Sequence, residues 1–161
     1  MLGELISRVG LAPPKNGISY TLHLITMRLY LDLCVYNRPL DYQGQERVAL
    51  ETSAFIYILE VVEKGACTLI ASEALVYENN RNPDEQRKIR VASYFHLARE
   101  FIKIYSSDLE RVKSLKGLGF SDLDALHITL AERSSVDYFI TCDDEIVKIY
   151  HNQQLIKRLN K

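Results

Sequence analysis

Hydrophobic positions along the chain follow two patterns in alternation. Short apolar runs stand at 28–31 (Arg28-Leu29-Tyr30-Leu31), 67–71 (Cys67-Thr68-Leu69-Ile70-Ala71), 101–105 and 137–142 (Asp137-Tyr138-Phe139-Ile140-Thr141-Cys142). Their length and composition predict strands. Between them the apolar positions recur at helical spacing. Over 45–64, Val48, Thr52, Phe55, Leu59 and Val62 make a core-facing stripe, and Gly65 stops the helix. Ser72 caps a helix carrying Glu73, Tyr77 and Glu78, and Asn82-Pro83-Asp84 breaks the chain before a helical stretch through Arg99. Ser106 or Ser107 opens the next helix, which ends around 117–119, and Ser121 opens another to about Arg133. Strands alternating with helices predict an α/β fold of three layers, α/β/α, around a mostly parallel central sheet.

Composition narrows this to one domain over 27–161: the chain has 161 residues, 47% hydrophobic and 25% charged, enough to bury a core. Net charge is -1, so any site for a polyanion is a local patch. Cys34, Cys67 and Cys142 are odd in number and lack metal-knuckle spacing, which argues for a reducing, cytoplasmic setting. Residues 1–26 read as a poorly ordered extension or a mis-chosen start, broken by Pro13-Pro14, with Glu4 where a secretion signal wants positive charge. No stretch approaches the roughly 20 apolar residues of a bilayer span, so no membrane partner is expected.

The chemistry-bearing feature is a set of four separated acids, Asp32, Glu78, Asp124 and Asp143, each near the end or beginning of a predicted element. Asp32 and Asp143 close two apolar runs. In a parallel sheet both would stand along the edge where α/β folds bind ligands, at a reversal of strand order. Hard oxygen donors of this kind suit Mg²⁺ or Mn²⁺, which invert the local sign and let an anionic backbone approach.

Tyr30-Leu31-Asp32-Leu33-Cys34-Val35-Tyr36-Asn37-Arg38-Pro39, then Tyr77-Glu78-Asn79, Asp122-Leu123-Asp124-Ala125-Leu126-His127-Ile128 and Thr141-Cys142-Asp143-Asp144 together resemble a PIN domain. The resemblance covers residues 28 to about 150. It implies a PIN-like metal-dependent nuclease fold of the kind found in VapC-type toxins: an endoribonuclease that hydrolyses RNA through a four-carboxylate Mg²⁺ or Mn²⁺ site. Asp32, Glu78, Asp124 and Asp143 would then be catalytic and metal-binding, with Thr141 in the small hydroxyl position. A small antitoxin and a homodimer are further partners that it implies.

Each residue has a second reading. Asp124 lies three residues after Ser121 and fits a capping box, Asp143 fits a cap for a helix beginning near Asp144, and Glu78 fits a solvated helix face. His127 is either a nitrogen ligand or a helix histidine packed near a polar pocket. Asp122 is either a supporting acid or a favourable helix N-terminal charge. Asn37, Arg38 and Arg81 are candidate substrate contacts, set against plain loop and solvated-face roles. The second functional reading is a non-catalytic PIN-like scaffold that binds RNA or protein. Haloacid-dehalogenase-like phosphotransfer wants an Asp at the position of Cys34, and a receiver domain wants a Lys at the late strand end, where Thr141-Cys142-Asp143 stands.

Overall fold

Each apolar run is separated from the next by enough helix to return the chain to the same sheet edge, which favours parallel pairing. The computed structural model describes Ser7–Arg8 and residues 26–159. Its strands are β1 (Ser7–Arg8), β2 (Met27–Leu31), β3 (Cys67–Ser72), β4 (Glu100–Ile102) and β5 (Tyr138–Ile140), in the order β1-β5-β2-β3-β4. The strands β2 to β5 are all parallel to their neighbours, and β1 adds a two-residue antiparallel pairing beside β5. Apart from Ser7–Arg8 and Thr26, the extension expected over 1–26 lies outside the described residues.

The described residues hold seven α-helices: α1 (Leu33–Asn37), α2 (Glu46–Glu63), α3 (Glu73–Asn80), α4 (Glu85–Tyr94), α5 (Asp108–Lys116) and α6 (Asp122–Arg133) between strands, and α7 (Asp144–Leu159) after β5. All six residues of β3 are buried, so that strand is covered on both faces, as a sheet between helical layers requires. The main core joins Leu29, Leu31, Leu69 and Ile70 of the sheet to Tyr36, Phe55, Val62 and Val91 of the helices. A smaller cluster of Leu115, Phe120, Ala125 and Ile146 ties α5, α6 and α7 together. At about 1.5–3 kcal/mol per buried large apolar side chain, these clusters dominate the stability of the fold.

Local chemistry sets most boundaries. α2 ends where Gly65 takes φ +75°, with the Gly65 and Ala66 amides donating back to the Val62 and Val61 carbonyls. Ser72, Asp84 and Ser121 cap α3, α4 and α6 by accepting the Leu75, Arg87 and Asp124 amides. Two boundaries differ from the sequence reading. The helical stretch expected through Arg99 ends as α helix at Tyr94 and closes with a 3₁₀ turn, Phe95–Leu97. The strand expected at 101–105 is Glu100–Ile102, because the Ile104 amide donates to the Glu73 carboxylate (2.8 Å) and leaves the ladder.

Candidate metal centre

The chain leaves β2 to build β3 and β4 on one side, and β5 later pairs on the other. Strand order therefore reverses at the β2/β5 junction, where open α/β sheets form their binding crevices. Asp32 directly follows β2 and Thr141 directly follows β5.

Asp32 is 6% exposed. Its Oδ1 accepts the Leu33 amide (2.7 Å), and its Oδ2 accepts the Thr141 hydroxyl (2.7 Å) and the Cys34 thiol (3.2 Å). The Asp32 amide donates to the Ile140 carbonyl across the junction (2.9 Å). Every donor to the carboxylate is neutral. Among the described residues no Lys, Arg or His forms an ion pair with Asp32.

Glu78 arrives from α3 and His127 from α6. Asp32, Glu78 and His127 each offer a ligand atom, and these atoms all lie within 4.8 Å of one another. His127 Nε2 is 2.8 Å from Glu78 Oε2, and its Nδ1 is 2.7 Å from the Tyr30 hydroxyl, which lies 2.6 Å from Ser72 Oγ. Burial raises the Tyr30 phenol well above its ordinary pKa, so it keeps its proton. Two acids this close, one of them buried without a cationic partner, fit a hard divalent cation such as Mg²⁺ or Mn²⁺. Asp32 and Glu78 are the residues that could supply oxygen donors to such an ion.

The other two acids lie outside that group of ligand atoms. Asp124 accepts the Ser121 hydroxyl at Oδ2 (2.6 Å), and its amide donates to Ser121 Oγ (3.3 Å). Asp143 accepts the Glu145 amide at Oδ1 (2.7 Å) at the start of α7. Asp143 therefore carries the cap that its position allowed, whereas at Asp124 half of the expected capping box forms: Ser121 Oγ accepts the Asp124 amide, and the Asp124 carboxylate meets the Ser121 hydroxyl in place of the Ser121 amide. Asp143 is still tied to the centre, because its amide donates to Thr141 Oγ1 (3.0 Å), the hydroxyl that bonds Asp32. Thr141 thus joins the Asp32 carboxylate to the backbone of Asp143.

Other candidates divide clearly. Asp122 is exposed and pairs with Lys116 (2.6 Å) in the first turn of α6, a helix-end role. Asn37 donates to the Leu33 carbonyl (3.0 Å) and accepts from Arg87 (3.4 Å). Arg38 pairs with Asp41 (3.0 Å) and with buried Glu51, which Arg47 also contacts (2.8 Å). Burial opposes the Arg38 charge, but Asp41, the Cys142 side chain and Glu51 outweigh it and raise the guanidinium pKa. Both Asn37 and Arg38 are thus occupied in holding the loop after α1. Arg81 is exposed at the end of α3, with its guanidinium 5.8 Å from the centre of the Tyr77 ring.

Tyr30, Ser72 and Cys34 were not candidates from the sequence. Tyr30 and Ser72 reach the centre through bonds spanning 97 and 42 positions, which strand register creates and local spacing does not reveal. A hydrogen bond with Cys142, then burial and the Asp32 charge, raise the Cys34 thiol pKa and keep it protonated. The chain matches no known family model and no curated protein. Among the described residues no helix is long and apolar enough to cross a membrane.

Proposed function

We propose that this chain is a PIN-like endoribonuclease that hydrolyses RNA phosphodiester bonds with Mg²⁺ or Mn²⁺ held at Asp32 and Glu78. The observation that carries the reading is the buried Asp32 carboxylate, which lacks a cationic partner among the described residues and lies beside a second acid at the strand-order reversal. A bound divalent cation supplies Lewis acidity toward a phosphodiester and acidifies water. The chain's own part is to orient the Asp32 carboxylate through Leu33, Cys34 and Thr141, and to hold Glu78 through His127. In this reading Asp124 and Asp143 would be the remaining acids of the PIN-like set, and Arg81 offers an exposed cation for the RNA backbone.

The capped state of Asp124 and Asp143 favours a second reading, a PIN-like scaffold that binds RNA or protein without cutting it. A toxin role rests on the family resemblance. In it, a small antitoxin would place Arg or Lys against Asp32 and Glu78, and homodimer formation follows from the same resemblance.

The deciding experiment incubates a structured RNA mixture with the purified chain in Mn²⁺, Mg²⁺ or chelator, beside Asp32→Asn and Asp124→Asn. Cleavage is expected only with metal. Asp32→Asn should lower it by about 100-fold or more, the scale of removing one electrostatic group from a transition-state site. Folded protein that cuts under neither metal favours the scaffold, and an Asp124→Asn variant with full activity restricts Asp124 to its cap.

A further inference from the structure

Five buried or half-buried groups, joined by four contacts, form one continuous hydrogen-bonded chain that ends on the acidic pair at Glu78. Leu75 N lies 3.3 Å from Ser72 Oγ, Ser72 Oγ 2.6 Å from the Tyr30 hydroxyl, Tyr30 2.7 Å from His127 Nδ1, and His127 Nε2 2.8 Å from Glu78 Oε2. The chain returns to the helix it starts from, because Ser72 caps α3 and Glu78 lies on α3. On the way it crosses β2 and α6.

From this geometry we infer that His127 is a positioning residue: a neutral imidazole, protonated at Nε2, that orients the Glu78 carboxylate for the cation and does not itself ligate it. The inference rests on the metal-centre reading above and names how that centre is held.

Hydrogen counting sets the direction. An ionised carboxylate can only accept, so the 2.8 Å contact needs a proton on His127 Nε2. A second proton on Nδ1 would turn the Tyr30 hydrogen toward Ser72 and leave the Ser72 hydroxyl hydrogen without a partner among the described residues, so Nδ1 carries the lone pair and takes the Tyr30 hydrogen. Tyr30 has one hydrogen to give, so its oxygen takes the Ser72 hydroxyl hydrogen. Ser72 Oγ still has a lone pair for the Leu75 amide. Every group from Leu75 to Glu78 is satisfied, which matters at a histidine only 1% exposed.

Neutrality matters for the site. A Lys or Arg in place of His127 would orient Glu78 equally well but would cancel its charge and compete with a divalent cation. A neutral N–H fixes the carboxylate and leaves both acids negative. Ligation by His127 would require the opposite arrangement, with the proton moved to Nδ1 and the Tyr30 hydroxyl turned toward Ser72.

The first test locates the imidazole protons by long-range ¹H–¹⁵N correlation on the ¹⁵N-labelled full chain, without metal and with Mg²⁺. Protonated Nε2 and bare Nδ1 are expected in both states. A proton on Nδ1 in the Mg²⁺ state, or on both nitrogens in either state, overturns the inference. The second test measures Mn²⁺ affinity by titration calorimetry, with circular dichroism verifying each fold. His127→Leu should weaken binding about 10–100-fold, the usual effect of losing a group that orients a ligand. His127→Gln keeps an N–H donor within reach of Glu78 and should restore most of that loss. Equal loss in two folded variants overturns the positioning role. If the wild-type chain binds no Mn²⁺, the metal-centre reading fails, while proton location in the metal-free chain still decides how His127 meets Glu78.

Discussion

Asp32 concentrates the physics of the candidate centre in one side chain. Three neutral donors replace part of the water it loses, and hydrogen bonds to an ionised group contribute about 1.5–3 kcal/mol each. They do not remove its repulsion from Glu78, so a divalent cation should bind the folded chain and stabilise it. At a free Mn²⁺ concentration 100 times the dissociation constant, linkage gives about 2.7 kcal/mol. Thermal unfolding should show that gain in the wild type and little of it in Asp32→Asn; an equal rise in both would locate the Mn²⁺ elsewhere. Among single residues, Asp32 was the most legible in the sequence, because a carboxylate at the end of an apolar run has few structural excuses. Its environment was not legible. Thr141 lies 109 positions away, and the sequence shows its hydroxyl without showing that β5 pairs beside β2.

Helices were more legible than strand ends, because helical periodicity and caps are local signals. Residues 45–64 and Ser121 gave α2 and the start of α6 closely. The end of β4 was hidden by a side chain, since Glu73 draws the Ile104 amide out of a ladder that the alternating pattern suggested would continue. On α2, spacing alone could have placed Glu51 on the buried face, three residues after Val48 and four before Phe55. Its charge concealed this. In the fold Glu51 is buried between Arg38 and Arg47, and Arg47 continues to Asp144 at the head of α7 (2.6 Å). This carboxylate therefore fastens α2 to the loop that follows α1. Glu51→Ala should cost about 3 kcal/mol, the low end for breaking a buried pair, because both arginines keep some access to water. Chemical denaturation measures this, and a loss under about 0.5 kcal/mol, the level of ordinary surface substitutions, would show that the pair contributes little.

At the scale of the whole molecule, the sheet is clasped across its width. Arg28 on β2 reaches over β3 to Glu100 on β4 through two bonds of 2.5 and 2.8 Å. The hydrogen bond from Arg28 lowers the Glu100 pKa below its ordinary value. A carboxyl whose folded pKa is depressed stabilises the fold above its unfolded pKa, about 4.3, and loses that contribution as pH falls through the folded value. The Glu100 side chain is 43% exposed, so the contribution should stay within about 1 kcal/mol. Glu100→Gln should flatten the acid side of the stability profile below roughly pH 5 and leave neutral stability within about 1 kcal/mol of wild type. An unchanged acid slope would exclude the pair as its source. The strand order also has a consequence for the growing chain. β2, β3 and β4 are neighbours in the sheet and have all been synthesised by residue 102, whereas β5 follows only at residues 138–140. Asp32 emerges early, but the hydroxyl that orients it and the histidine that holds Glu78 come from segments made much later. A nascent chain of that length therefore carries both acids, Asp32 and Glu78, without Thr141 and His127, the parts that align them. A protein proposed to cut RNA is thus kept blunt beside the ribosome until its last strand slides in next to its first long one.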